Sequence, residues 1–409
     1  MSQVKLYIAP FNTDGVYQSY VNVSDDIAGD IGSITRKLDS SDYDTGVFRT
    51  SDISFTLKND TGKYSDIGSN DTMFAYTRAN SKVKITWQIE NDVTECGFAV
   101  CGGSALSEEI TIFEGLLNDE TSKESLQGGN IAFKALSFES LFNKEIVSTS
   151  HFSNGDTVQA AMYKILSNNT AIPNYLTISS LNFSVDDSTG LLTIDDKTKF
   201  ENATISDTLK ELLTVGNAIL YIEDNVVYTD TRTPTATSQH TFYGQASDVG
   251  IENISNLGKI NTGLKRTFNF LSWKDYTTPQ SNSSSRSKYG TRKKELDFEF
   301  ITTAATKDKV LGNIVTEFGD PKREFDLTTI IDYETIDLTL LDRINIDYPT
   351  PLYVGPGDLF PIWGVSVWGT FRWPYREASV TLTLTEYFKI IGYKINLKDG
   401  NITYNLREV

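Results

Sequence analysis

Ile53, Phe55 and Leu57 alternate with Ser54, Thr56 and Lys58, a two-residue period that puts the apolar set on one face of a strand and the polar set on the other. The stretch Ile31–Asp66 therefore needs a sheet with a core on one side. The four residues that follow the strand, Asn59-Asp60-Thr61-Gly62, are turn chemistry: Asn and Asp bond their own backbone and glycine accepts positive φ. Lys63-Tyr64 is then expected to open a returning segment of a hairpin or small barrel. Nothing in this stretch carries catalytic chemistry.

The strand habit runs from Val4 to about Val147. Val4, Leu6 and Ile8 alternate, Tyr20 and Asn22 oppose Val21 and Val23, and Val83–Trp87, Ile110–Leu116 and Ile131–Leu136 follow, separated by loops rich in Asp, Ser, Asn and Gly. The long connection Asn91–Ser107 reads as a surface excursion, either a partner-binding finger or a plain loop. Ser137–Asn143 is expected to close the unit as a short helix capped by Ser137.

Beyond Val147 the period changes. Val158, Ala161, Met162 and Ile165 have helical spacing within Thr157–Ser167, and Leu209, Leu212 and Leu213 share the face of a second helix with Ser206 as the expected cap and Gly216 past its end. Ile219–Ile222, the turn Glu223-Asp224-Asn225 and Val226–Tyr228 read as a hairpin. Residues 147–235 thus form an α+β insert, bounded by the polar, proline-containing Thr231–Ser238.

From Thr241 strands resume. Ser281–Lys294, with Arg286, Lys288, Arg292, Lys293 and Lys294, reads as a flexible basic segment; a tethered loop touching DNA or an acidic neighbouring subunit and a simply solvated loop both stay open. Thr306–Phe318 is a helix by its 3-4 spacing, stopped by Gly319-Asp320-Pro321. Phe325–Ile331, Asp342–Tyr348, Val380–Leu384, Ile390–Asn396 and Ile402–Leu406 are expected strands, the last two joined by a Lys398-Asp399-Gly400 turn. Trp363, Trp368 and Trp373 are spaced by five. They suit core packing, a subunit interface or a sugar platform, with interface ahead of sugar.

Composition narrows the function. The chain has 409 residues, 20 Tyr and 22 Phe against 3 Met, and Thr and Ser abound, so strands should outweigh helices. A formal net charge of −17 argues against gripping nucleic acid or anionic membrane electrostatically; it serves solubility, or an acidic conduit past which DNA slides. Cys96 and Cys101, in CGFAVC, are too few for a four-thiol zinc site; reduced thiols and one local bridge both remain open. His151 and His240 stand far apart, and neither HExxH, GxxxxGK[ST] nor GxGxxG occurs. The carboxylate pairs Glu108-Glu109, Asp186-Asp187 and Asp195-Asp196 are expected by chance among 54 acidic residues. Neither a cofactor nor a metal is implied, and Asp186–Gly190 reads as a turn and not a calcium loop. No apolar run approaches the length needed to span a bilayer, and Met1–Pro10 lacks the basic-then-apolar layout of a signal peptide, so synthesis and folding in a cytoplasm are expected.

The Ile31–Asp66 stretch, with Phe74 and Lys82-Val83-Lys84-Ile85 after it, resembles the opening of phage tail baseplate hub proteins. Ile112-Phe113-Glu114-Gly115 leading to Ile131-Ala132-Phe133, and Ile391–Ile395 with Tyr404-Asn405-Leu406, extend the likeness across the chain. The resemblance implies a mainly β (α+β) chain: one tail-tube-like β-barrel in residues 1–146, an α+β insert in 147–235, and a second barrel in 236–409 with one helix near 306–318 and a C-terminal hairpin. It further implies a non-enzymatic virion protein, a homotrimeric baseplate or tail-tip hub assembled in the host bacterial cytoplasm. Such a hub closes the tail tube, meets the distal tail or tube protein, the tape-measure protein and a central spike or tail fibre, and passes double-stranded DNA without specific binding. The competing class is a β-rich carbohydrate-binding adhesin or glycoside hydrolase, with the three tryptophans as its platform.

Overall fold

The computed structural model describes residues 3–11, 16–38, 45–65, 77–89, 108–124, 129–233, 237–243, 254–348 and 382–409. Trp363, Trp368 and Trp373, Cys96 and Cys101, and the Asn91–Ser107 connection lie outside them.

The alternating strand Ile53–Lys58 buries Ile53, Phe55 and Leu57 as its period requires. It forms the edge of a six-stranded antiparallel sheet, ordered Val21–Asn22, Gln3–Phe11, Thr77–Ile89, Glu108–Glu124, Asn130–Ser137, Ile53–Lys58. Its partner is Asn130–Ser137, with Phe55 opposite Phe133. Lys63-Tyr64 does not open a returning strand: Asn59 Oδ1 accepts from the Tyr64 N–H at 2.8 Å, which holds the chain in a turn. The buried Tyr64 ring packs edge-on to Phe133 and its hydroxyl donates to Asp26. Burying an aromatic ring with its hydroxyl satisfied outweighs extending a ladder there.

A second sheet has ten strands. Its main path runs Val226–Thr231, Ala218–Glu223, Gly46–Thr50, Ile34–Leu38, Leu382–Asn396, Asn401–Glu408, Glu324–Ile330, Ile254–Leu257, while Arg343–Tyr348 pairs with Leu382–Asn396 and carries His240–Tyr243. Sequence neighbours are thus separated: Ile34–Leu38 lies against Leu382–Asn396, with Ile34 opposite Ile395. The expected strands Val380–Leu384 and Ile390–Asn396 belong to one long strand, Leu382–Asn396, whose pairing slips between Ile390 and Gly392. The fold is mixed α/β, and among the described residues neither ladder returns to its first strand. One apolar cluster, including Leu6, Phe133, Phe388 and Tyr404, runs between the two sheets.

The helices pack around a second cluster. Val158–Ser167 starts where Thr157 caps the Ala160 N–H at 3.2 Å. The next helix, Ile205–Val215, is capped by Thr204 and not by Ser206. Ser206 lies inside the helix, buried, because its hydroxyl accepts from Arg49 at 2.5 Å. Asp224 and Asn225 make the expected hairpin turn, both at positive φ (47° and 60°), a conformation Asn and Asp tolerate better than most residues. Ser137 makes no capping bond; a turn at Phe138–Ser140 leads into Leu141–Lys144 and buries Phe138 and Phe142. The helix Ala304–Phe318 buries Val310, Leu311, Ile314 and Phe318.

The segment Ser281–Lys294 is not a flexible loop. It contains the helix Ser283–Tyr289 and opens the strand Lys293–Leu296, which with Gln280–Ser281 flanks Phe270–Trp273 in a small three-stranded sheet. Asn269, fully buried, organises it: its Nδ2 donates to Gly290 O at 2.8 Å and its Oδ1 accepts from the Arg292 N–H at 2.8 Å. Gly290, at φ 76°, ends the helix. The Ser- and Asn-rich composition reads as a flexible loop, but in the fold these side chains bond backbone rather than solvent, as Asn282 does with the Ser285 N–H and Ser287 with Ser283 O.

Candidate functional site

Two oppositely charged surfaces and one buried charge cluster stand out. The first surface is a cleft of about 280 Å³ where both sheets and the hairpin turn meet, lined among others by Arg36, Glu109, Glu114, Glu139, Glu223 and Asp337. Its carboxylates crowd one another. Burial pushes Glu114 up to about 7, helped by Asp224 and opposed by Lys84, Asn225 and Lys82. Glu114 accepts from the Asn225 N–H at 3.0 Å, so it ties the six-stranded sheet to the turn at the tip of the Ala218–Thr231 hairpin. Glu139, 2% exposed, is raised by burial and partly relieved by Arg36. Lost hydration also raises Glu223; Arg36 opposes the shift and Asp224, Asp337 and Asp342 add to it.

The second surface is basic. Residues 259–294 hold nine lysines and arginines and a single acidic residue, Asp275, in a chain of net charge −17. The structure brings all five sequence-predicted cations, Arg286, Lys288, Arg292, Lys293 and Lys294, onto this unit and gives them different neighbours. Arg286 stacks over the Phe270 ring at 5.1 Å and Lys294 over Phe268 at 5.7 Å. Arg292 donates to Leu264 O at 2.9 Å. Lys288 and Lys293 are exposed. Lys259 and Lys265, which motif reading passed over because they precede the dense run, are exposed on the same unit; a charge count in a wider window finds them.

The buried cluster centres on Glu317. Its Oε1 lies 3.1 Å from each of Arg232 Nη2, Lys389 Nζ and Lys322 Nζ. Against the cost of burial, Lys389, Arg232 and Lys322 hold Glu317 down to about 2. Arg232 and Lys389 are 3% and 1% exposed, and no sequence period announces them, since they lie 157 residues apart.

The carboxylate pairs act locally. Glu109 accepts from Lys5 and Tyr7, and Asp187 accepts from the Leu191 and Leu192 N–H groups in the expected turn. Asp195 takes the N–H and hydroxyl of both Thr302 and Thr303. His240 Nδ1 sits 3.2 Å from Glu334. Among the described residues no group of three or more His, Cys, Asp or Glu is placed to hold a metal ion, and no helix is long and apolar enough to cross a membrane.

No family model matches the chain, and no curated protein matches it. Solved structures do. The tail protein from Neisseria meningitidis MC58 matches over 100% of this chain and 96% of its own, at a TM-score of 0.52 and 10% identity. Prophage tail protein gp18 from Listeria monocytogenes EGD-e matches over 98% and 94%, at 0.52 and 12%. The chain therefore has the fold of these phage tail proteins, end to end.

Proposed function

We propose that this chain is a structural protein of a phage tail, acting as the baseplate or tail-tip hub. The observation that carries the reading is that the likeness to two tail proteins spans nearly the whole of all three chains, as expected of a shared part rather than a shared domain. The proposal extends to a homotrimer in which residues 1–146 and 236–409 supply tail-tube-like barrels and 147–235 the insert, so that three chains form a pseudo-six-fold ring. The ring closes the distal tail, meets the tube, tape-measure protein and central spike or fibre, and lets DNA leave along an acidic lumen that repels phosphate. Its place is the virion, after assembly in the bacterial cytoplasm, and it performs no reaction.

Electron-microscope averages of the purified chain test this. Three-subunit rings with a central opening wide enough for duplex DNA are expected. A chain that stays monomeric alone and with its co-expressed tail partners overturns the hub reading.

A further inference from the structure

The tip of the Ala218–Thr231 hairpin belongs to the ten-stranded sheet and meets the six-stranded sheet through Glu114. Glu114 Oε2 accepts from the Asn225 N–H at 3.0 Å, and Oε1 accepts from Asn225 Nδ2 at 3.4 Å. Asp224, the other residue of the turn, lines the same cleft as Glu114. Asn225 Oδ1 is buried without a hydrogen-bond partner. A protonated Glu114 is a donor, and an ionised one is not.

Counter-charge is present around this contact but is committed elsewhere. Lys84 stands opposite Glu114 in register, yet its Nζ lies over the Tyr20 ring at 5.9 Å. Lys82 Nζ donates to Tyr175 O at 3.2 Å and lies over the Tyr17 ring at 4.7 Å. Across the cleft, Arg36 donates to Ile222 O, and Glu109 is held by Lys5 and Tyr7. Glu139, Glu223 and Asp337 line the remaining walls. Burial, with Asp224 adding to it, therefore outweighs Lys84, the Asn225 N–H and Lys82 and pushes Glu114 up to about 7.

We propose that Glu114 is a proton-operated latch. Protonated, it holds the hairpin tip against the six-stranded sheet; on ionising it lets the tip move away, and the cleft widens. The physical reason is differential solvation. In the closed state the carboxyl is buried beside Asp224, so its charge is costly there, whereas in the open state water solvates it. A charge that is costly in one state only shifts the balance to the other. The apolar cluster that runs between the two sheets, with Leu6, Phe133, Phe388 and Tyr404, holds them together in both states, so the motion is confined to the tip.

Hydrogen exchange of the full chain tests this, read by mass spectrometry at about pH 6 and about pH 8.5 and divided by the unfolded-peptide rate at each pH. With the carboxyl at about 7 when closed and 4.5 when open, linkage makes the tip open about tenfold more often at the higher pH. Amides 223–227 should lose protection by that factor, while amides 397–400, in the Lys398-Asp399-Gly400 turn of the same sheet, should not. Glu114→Gln keeps an uncharged donor at every pH, so its tip protection should not depend on pH. Asp224→Asn, at an exposed turn position, removes a repelling charge and should shrink the dependence. Circular dichroism checks that both variants fold. Wild-type tip protection that is equal at the two pH values overturns the latch, and that comparison needs no variant. A loss shared equally by amides 397–400 overturns it too, as does one that persists in Glu114→Gln or is undiminished in Asp224→Asn.

Discussion

Glu317 Oε1 lies 3.1 Å from Lys389 Nζ, a contact that joins the helix Ala304–Phe318 to the long strand Leu382–Asn396. Arg232, just past the end of the hairpin, reaches the same oxygen. Three parts of the chain that sequence reading separates are thus pinned by one carboxylate.

Glu317→Gln should destabilise the chain by about 3 kcal/mol, because it strands buried cations rather than removing a balanced pair. The measurement is urea unfolding followed by tryptophan fluorescence. The same carboxylate sets an acid limit. Its folded pKa, about 2, lies below the ordinary 4.5, so its contribution is complete above 4.5 and is lost as pH falls through about 2. The variant's stability should fall less steeply than wild type over that window.

Glu114 has the opposite sign. Its carboxyl, at about 7 against an ordinary 4.5, binds a proton in the folded chain where the unfolded chain has lost it. Its contribution is therefore present below 4.5 and declines as pH rises through about 7. Glu114→Gln should remove that decline and stabilise the chain by about 2 kcal/mol at pH 8. The amide also offers a donor to Asn225 Oδ1, which is buried without a hydrogen-bond partner. Thermal unfolding of both proteins across the range reads the difference.

Asp195 caps the start of the helix Ala304–Phe318 from 108 residues away in sequence, accepting the Thr303 N–H at 2.7 Å. Asp195→Ala should cost about 1–2 kcal/mol, the range for losing a helix cap. Hydrogen exchange should show the loss first in the amides of residues 302–307.

Asn269→Leu should loosen the basic unit without unfolding the sheets. It leaves Gly290 O and the Arg292 N–H without their buried partner, at a cost of about 1–3 kcal/mol. Limited proteolysis should then cut within 283–292, where wild type should resist, while far-UV circular dichroism changes little.

Local chemistry made much of the fold legible before any coordinates. The Ile53–Lys58 alternation, the Thr157–Ser167 and Thr306–Phe318 spacings and the Asp224-Asn225 turn all depend on residues within a few positions of one another. Ser206 misleads because Arg49, distant in sequence, claims its hydroxyl and leaves the cap to Thr204. Ser281–Lys294 misled because Asn269, outside the segment, supplies the bonds that order it.

The sequence by itself determined the β-rich alternation, the helical insert, the acidic balance with its local basic run, and the absence of common nucleotide and zinc motifs. Tertiary structure alone decided that Ile34–Leu38 pairs with Leu382–Asn396, that Glu317 gathers Arg232, Lys322 and Lys389, and that Glu223 and Asp337 share one cleft. The physical reason is range: side-chain period and turn preference act over a few residues, whereas strand partners and charge neighbours follow from how the whole chain buries its apolar faces.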